Sequence, residues 1–187
     1  MSLMPELFNR RQLNPVTGDV IDGWVDPEET RNANPEGRNQ YTTGLVGKHV
    51  RGEPLTDTEK GHLAGHAQAS QTSRPQLERV VTSDPRHEVG EVLHLGPTSF
   101  TGARLSKGEN AGHIAVKYSD SAVYRIERPG RGRDVDYTGV DTGLVSPGEE
   151  AETIVAGPYQ VSKVSSVEHP GRMGRLKVYH LSESRGT

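Results

Sequence analysis

The spacing of apolar and polar positions divides the chain into an arm, a helical stretch and a β-rich body. Residues 1–38 have no periodicity. Pro5, Pro15, Pro27 and Pro35 interrupt them, with Asn, Asp and Gly between. An extended or flexible N-terminal arm is expected there, with a turn at Asn14-Pro15-Val16-Thr17-Gly18-Asp19. Trp24, the single tryptophan, sits in Ile21-Asp22-Gly23-Trp24-Val25. It is expected to anchor the arm on the body or on a partner.

Residues 41–73 read as two helices. Thr42 or Thr43 is the candidate cap of the first, with Leu45, Val46 and Val50 on its buried face. Thr56-Asp57-Thr58-Glu59 is a capping-box pattern that opens a second helix through about Ala69. From Gln76 the texture changes to short runs of strand character. They fall at Leu77–Thr82, Glu91–Leu95, Ala122–Ile126, Thr153–Ala156, Tyr159–Ser165 and Leu176–Leu181. Gly, Pro, Asp and Ser clusters separate them. Asn110–Tyr118 fits a short helix or a strand. Two helices followed by a run of strands predict an α+β domain over residues 39–187 with a mostly antiparallel β core.

Composition narrows the setting. A chain of 187 residues can form one domain with a core and a tail. Hydrophobic content is 31% and aromatic content 5%, so part of the chain is expected outside the core. The absence of cysteine excludes disulfides, thiolate catalysis and thiolate-bound zinc. No apolar run is long enough to span a bilayer, and no signal core follows Met1 to Glu6. A cytoplasmic setting without membrane is expected. The formal net charge is -3, with four Arg against seven Asp and Glu in residues 1–38. Residues 39–187 carry 18 Lys and Arg and 18 Asp and Glu. A neutral body has no general attraction for nucleic acid.

Candidate chemistry concentrates at Glu149-Glu150-Ala151-Glu152, which runs into the apolar Thr153-Ile154-Val155. On a strand, Glu150 and Glu152 share one face. Like charges placed side by side repel, so stability does not explain the pair. A carboxylate in that position suits chemistry at a sugar carbon that gains cationic character. Read alone, the run is an acidic turn. Other features carry less. His62 and His66 are four apart on the second helix but have no third ligand nearby, so both are expected to face solvent. Arg125, Arg128, Arg131 and Arg133 surround Pro129-Gly130-Arg131-Gly132 with acidic residues interleaved, and a solvated turn is expected.

Order and spacing then add a resemblance. After the helices comes Leu77-Glu78-Arg79-Val80-Val81, then Thr98-Ser99-Phe100-Thr101, then Glu150-Ala151-Glu152, 51 residues beyond Ser99. Over residues 40–182 this resembles the mono-ADP-ribosyltransferases of the Arg-Ser-Glu type, a group that includes bacterial binary toxins and phage enzymes that modify host proteins. The resemblance implies a two-sheet β core with N-terminal helices packed on it, and NAD as co-substrate without a metal. It implies that Arg79 holds the NAD phosphates, with Arg51 of Val50-Arg51-Gly52-Glu53 as the rival. Ser99 would orient the catalytic glutamate and Thr101 would supply a second hydroxyl, with Phe100 in place of a small central residue. Glu152 would be the catalytic carboxylate. Glu150 would handle the acceptor, and glutamate there goes with arginine acceptors in the family. Asp134–Gly148 would be the substrate-recognition loop, with Tyr137 a candidate contact to the target protein. Gly157-Pro158-Tyr159 resembles the family's turn into the next strand, and Gly44–Gly52 resembles the helix beside the NAD pocket. Two alternatives stay open: an NAD glycohydrolase using the same residues, and a non-catalytic interaction or virion module with residues 1–38 as a docking arm.

Overall fold

A computed structural model describes residues 35–107, 120–135, 152–170 and 173–184. The arm, Asn110–Tyr118, Tyr137 and Glu150 lie outside the described residues, apart from the last four residues of the arm, which are helical. Helix α1 spans Pro35–Val50 and helix α2 spans Asp57–Ala69. The strands are β1 Gln76–Val81, β2 Val92–Thr101, β3 Ala122–Glu127, β4 Arg133–Asp134, β5 Glu152–Glu168 and β6 Arg175–Glu183. A short 3-10 turn, Leu105–Lys107, follows β2. None of the described helices is long and apolar enough to cross a membrane.

Helix α1 begins at Pro35, so neither Thr42 nor Thr43 caps it; Thr42 lies inside the helix and is buried. Proline suits a first helical position, because the N–H it lacks would have no partner there. The other end is a Schellman motif. Glu53 N–H donates to the Lys48 carbonyl at 2.9 Å and Gly52 N–H to the His49 carbonyl at 3.1 Å. Gly52 takes the left-handed backbone that this stop requires, with φ +71. The capping box of α2 forms as its sequence predicts: Glu59 N–H donates to Thr56 Oγ1 at 3.1 Å and Thr56 N–H to Glu59 Oε1 at 3.0 Å. Lys48 Nζ reaches Glu59 at 3.1 Å and ties the two helices together.

The strands pair in the order β2-β1-β3-β6-β5-β4, and a further pairing of β2 with β5 closes the ring. All pairs are antiparallel except β3 with β6. The architecture is α+β with a mixed six-stranded sheet. Strand β5 holds it together, because its first half pairs with β2 and its second half with β6. Two runs expected as separate strands, Thr153–Ala156 and Tyr159–Ser165, are therefore one strand. Gly157-Pro158 is not a turn. Gly157 pairs with Leu95 and Pro158 with His94, and glycine absorbs the irregularity with φ +121. Strand β2 likewise runs through Gly96-Pro97, where its register against β5 shifts between Leu95 and Thr98.

Residues 153–156 are buried on both faces, which accounts for the unbroken apolar run there. Val155 joins Leu77, Phe100, Ile126, Tyr159, Val161 and Tyr179 in one cluster. Ile154 and Ala156 pack with Leu45, Val46, Leu63, Ala64 and Ala67 of the helices. Each fully buried Leu or Ile of this kind contributes about 1.5–3 kcal/mol relative to exposure. The helices thus cover the face of β2 and β5 on which Ser99 and Glu152 stand.

Candidate functional site

Register builds the site. Thr101 of β2 sits opposite Glu152 of β5, and Ser99 sits opposite Ile154. Ser99, Thr101, Ile154 and Glu152 therefore share one face, and Ser99 and Glu152 are diagonal neighbours. The Ser99 hydroxyl donates to Glu152 Oε1 in a short hydrogen bond. Ser99 also receives His49, whose Nε2 lies 2.9 Å from Ser99 Oγ. From β1, Arg79 Nη1 donates to the Ser99 carbonyl at 2.8 Å. Arg79, Ser99 and Glu152, separated in sequence, thus meet around a single serine.

The site is electrostatically tight. Burial draws the Arg79 guanidinium down from its ordinary value, and Tyr124 and Glu152 hold it up. Burial and the Arg79 charge push the His49 imidazole below its usual range, so it is neutral at pH 7. Tyr124, the cross-strand partner of Arg79, is pushed up to about 12, chiefly by burial. A carboxylate, a partly buried cation and a neutral imidazole around one hydroxyl form a preorganised polar centre.

The rival arginine has another place. Arg51 lies just beyond the last turn of α1, exposed, with Nη2 3.1 Å from Glu53 Oε2. The Arg-Gly pair at 51–52 belongs to the helix stop. Thr101 lies opposite Glu152, and its Oγ1 accepts the Ala103 N–H at 3.0 Å. Asp134, expected in the recognition loop, is a strand residue. Its carboxylate accepts the Thr72 hydroxyl at 2.6 Å and the Thr153 hydroxyl at 2.7 Å. Val135, next after β4, donates its N–H to the Glu152 carbonyl of β5 at 2.9 Å.

His49 was legible only as part of a helix. A histidine in the last turn of a helix is an ordinary helix-end feature, so no sequence signal marks it. A cleft of about 520 Å³ opens beside it, lined by His49, Glu53, Leu55, Lys60 and Pro97 among others. That size suits a small organic ligand. His66 does not face solvent as expected: it is buried, and its Nε2 accepts from Arg133 Nε at 3.1 Å. Arg125 is likewise drawn from the expected solvated turn into the fold, 3.6 Å from the fully buried Glu78. Among the described residues no group of three or more His, Asp or Glu is placed to hold a metal ion.

No protein-family model and no curated protein sequence matches the chain. Solved structures of bacterial ADP-ribosyltransferase toxins do resemble it. C3larvin toxin from Paenibacillus larvae is 12% identical, with a TM-score of 0.41, over 84% of this chain and 86% of that one. Vis toxin from Vibrio splendidus is 11% identical, with a TM-score of 0.44, over 84% and 83%. The catalytic domain of VahC from Aeromonas hydrophila is 14% identical, with a TM-score of 0.37, over 83% and 97%.

Proposed function

We propose that this chain transfers ADP-ribose from NAD to a protein acceptor and releases nicotinamide. The observation that carries the reading is the Ser99 hydroxyl seated on the Glu152 carboxylate, with Arg79 holding the carbonyl of the same serine. Breaking the bond between nicotinamide and ribose leaves cationic character on the sugar. A fixed carboxylate facing that charge stabilises the transition state more than the ground state. Ser99 fixes the carboxylate. Arg79 supplies a partly buried guanidinium, which suits a pyrophosphate because its donors are paired and planar. These residues fit NAD: Arg79 on the phosphates, and Ser99, Thr101 and Glu152 on the nicotinamide-ribose side.

The acceptor is an arginine side chain of a target protein. This finer step rests on Glu150, whose carboxylate would orient or deprotonate the incoming guanidinium. Tyr137 is proposed as a contact to that target, and residues 1–38 as a docking element for a partner. The chain acts in the cytoplasm of the cell whose protein it modifies.

Nicotinamide release from NAD, compared between the natural protein and Glu152→Gln, tests the chemistry. Release that falls at least about a hundredfold in the variant, with an unchanged circular dichroism spectrum, is expected. Equal release by both proteins would refute the role of Glu152.

A further inference from the structure

We propose that His49 is a positioning residue, its Nε2–H holding the Ser99 hydroxyl on Glu152. Proton bookkeeping assigns the direction. A serine hydroxyl has one proton to donate and lone pairs with which to accept. An ionised carboxylate only accepts, so the hydroxyl proton of Ser99 points at Glu152 Oε1. Toward His49, 2.9 Å away, Ser99 Oγ is then left to accept. Nε2 must carry the hydrogen, and in the neutral ring that burial and Arg79 favour, Nδ1 is then bare. The bonds run one way, from His49 to Ser99 to Glu152. A free hydroxyl rotor has three staggered positions; a donor on one side and an acceptor on the other select one.

The device has a pH limit. Arg79 of β1 acts on His49 directly, Glu152 of β5 reaches it through Ser99, and Glu53 and Lys60 line the same cleft. Protonation of His49 would place a second cation beside Arg79. It would also oppose positive charge developing on a sugar held by Glu152. Burial and Arg79 set that protonation below the ordinary imidazole value of 6.5. The kinetic consequence presupposes the ADP-ribosyl transfer proposed above; the tautomer does not.

Two measurements on the full chain separate these. In long-range proton–nitrogen spectra at pH 7, with Ser99→Ala as a control, His49 is expected as the neutral Nε2–H tautomer. Its signals should move in the variant. A Nδ1–H tautomer or an imidazolium would overturn the proposal, whether or not NAD is consumed. In NAD turnover, His49→Leu is expected to lower kcat about tenfold or more with KM within about twofold. His49→Gln keeps an N–H donor near the Nε2 position but cannot titrate there. It should lose less kcat than the leucine variant and lack the acid limb of the natural profile. Equal losses in both variants, or an effect on KM alone, would overturn the positioning role. If the natural protein consumes no NAD, the transfer reading fails and the tautomer alone decides the proposal.

Discussion

The Thr153 hydroxyl donates to the Asp134 carboxylate at 2.7 Å, one residue beyond Glu152. Thr153 is fully buried. Its bond therefore fixes the backbone of β5 where the candidate catalytic side chain leaves it. The Thr72 hydroxyl donates to the same carboxylate oxygen, so the α2–β1 connection is drawn into the clamp. Thr153→Val keeps the shape and removes the hydroxyl. A loss of about 1–3 kcal/mol in urea unfolding is expected, with kcat falling more than KM changes. Unchanged stability and kcat would show that the clamp does not hold Glu152.

Arg79 and Arg51 separate by environment. Arg79 is partly buried and bonded to Ser99, whereas Arg51 sits exposed beside Glu53. Arg79→Lys should raise the KM for NAD about tenfold or more, because an ammonium lacks the planar paired donors. Arg51→Ala should change it by less than about twofold. Steady-state kinetics on both variants checks the pair, and the reverse pattern would reassign the proposed phosphate-binding role.

Glu78 is fully buried under the turn that follows β2. It accepts from Ser106 N–H at 3.2 Å and from Ser106 Oγ at 2.9 Å, and Arg125 stands beside it. Glu78→Ala leaves that guanidinium without its buried carboxylate. The expected loss is about 3–5 kcal/mol in urea unfolding. A loss below about 1 kcal/mol would mean that water replaces the carboxylate.

Asp84 gives the stability an acid dependence. Burial pushes its carboxyl up, but the Tyr179 hydroxyl, the Arg86 N–H and Lys177 together hold it below the ordinary value of 3.8. A carboxyl lowered by folding contributes stability above its unfolded value. That contribution is lost as the pH falls through the lowered folded value. Asp84→Asn should therefore cost stability at neutral pH and flatten the decline below about pH 4. Unfolding midpoints measured from neutral to acid pH test this, and parallel curves for both proteins would contradict it.

Much of this was legible in sequence. The capping box at Thr56 and Glu59 is a local device, and local devices read directly. The β-branched and apolar runs located most strands, because burial at residues such as Ile154 and Val155 leaves an apolar trace. The joins were not legible. Gly157-Pro158 and Gly96-Pro97 carry turn chemistry, yet both pairs lie within strands because β2 and β5 pair across them. Tertiary pairing overrides local propensity there. The helical start at Pro35 was hidden because proline breaks a helix everywhere except its first turn. The meeting of Arg79, Ser99 and Glu152 was legible only through the family resemblance that their order and spacing carry. The place of His49 beside them was not, since it depends on where a helix ends against a strand.

The most direct test of the central claim is incubation of the full chain with NAD labelled in its ADP-ribose part and a cell lysate, beside Glu152→Ala. The account predicts label on a discrete protein band, sensitive to arginine-directed release chemistry and absent with the variant. Nicotinamide release with no labelled protein, or labelling that survives Glu152→Ala, would contradict it.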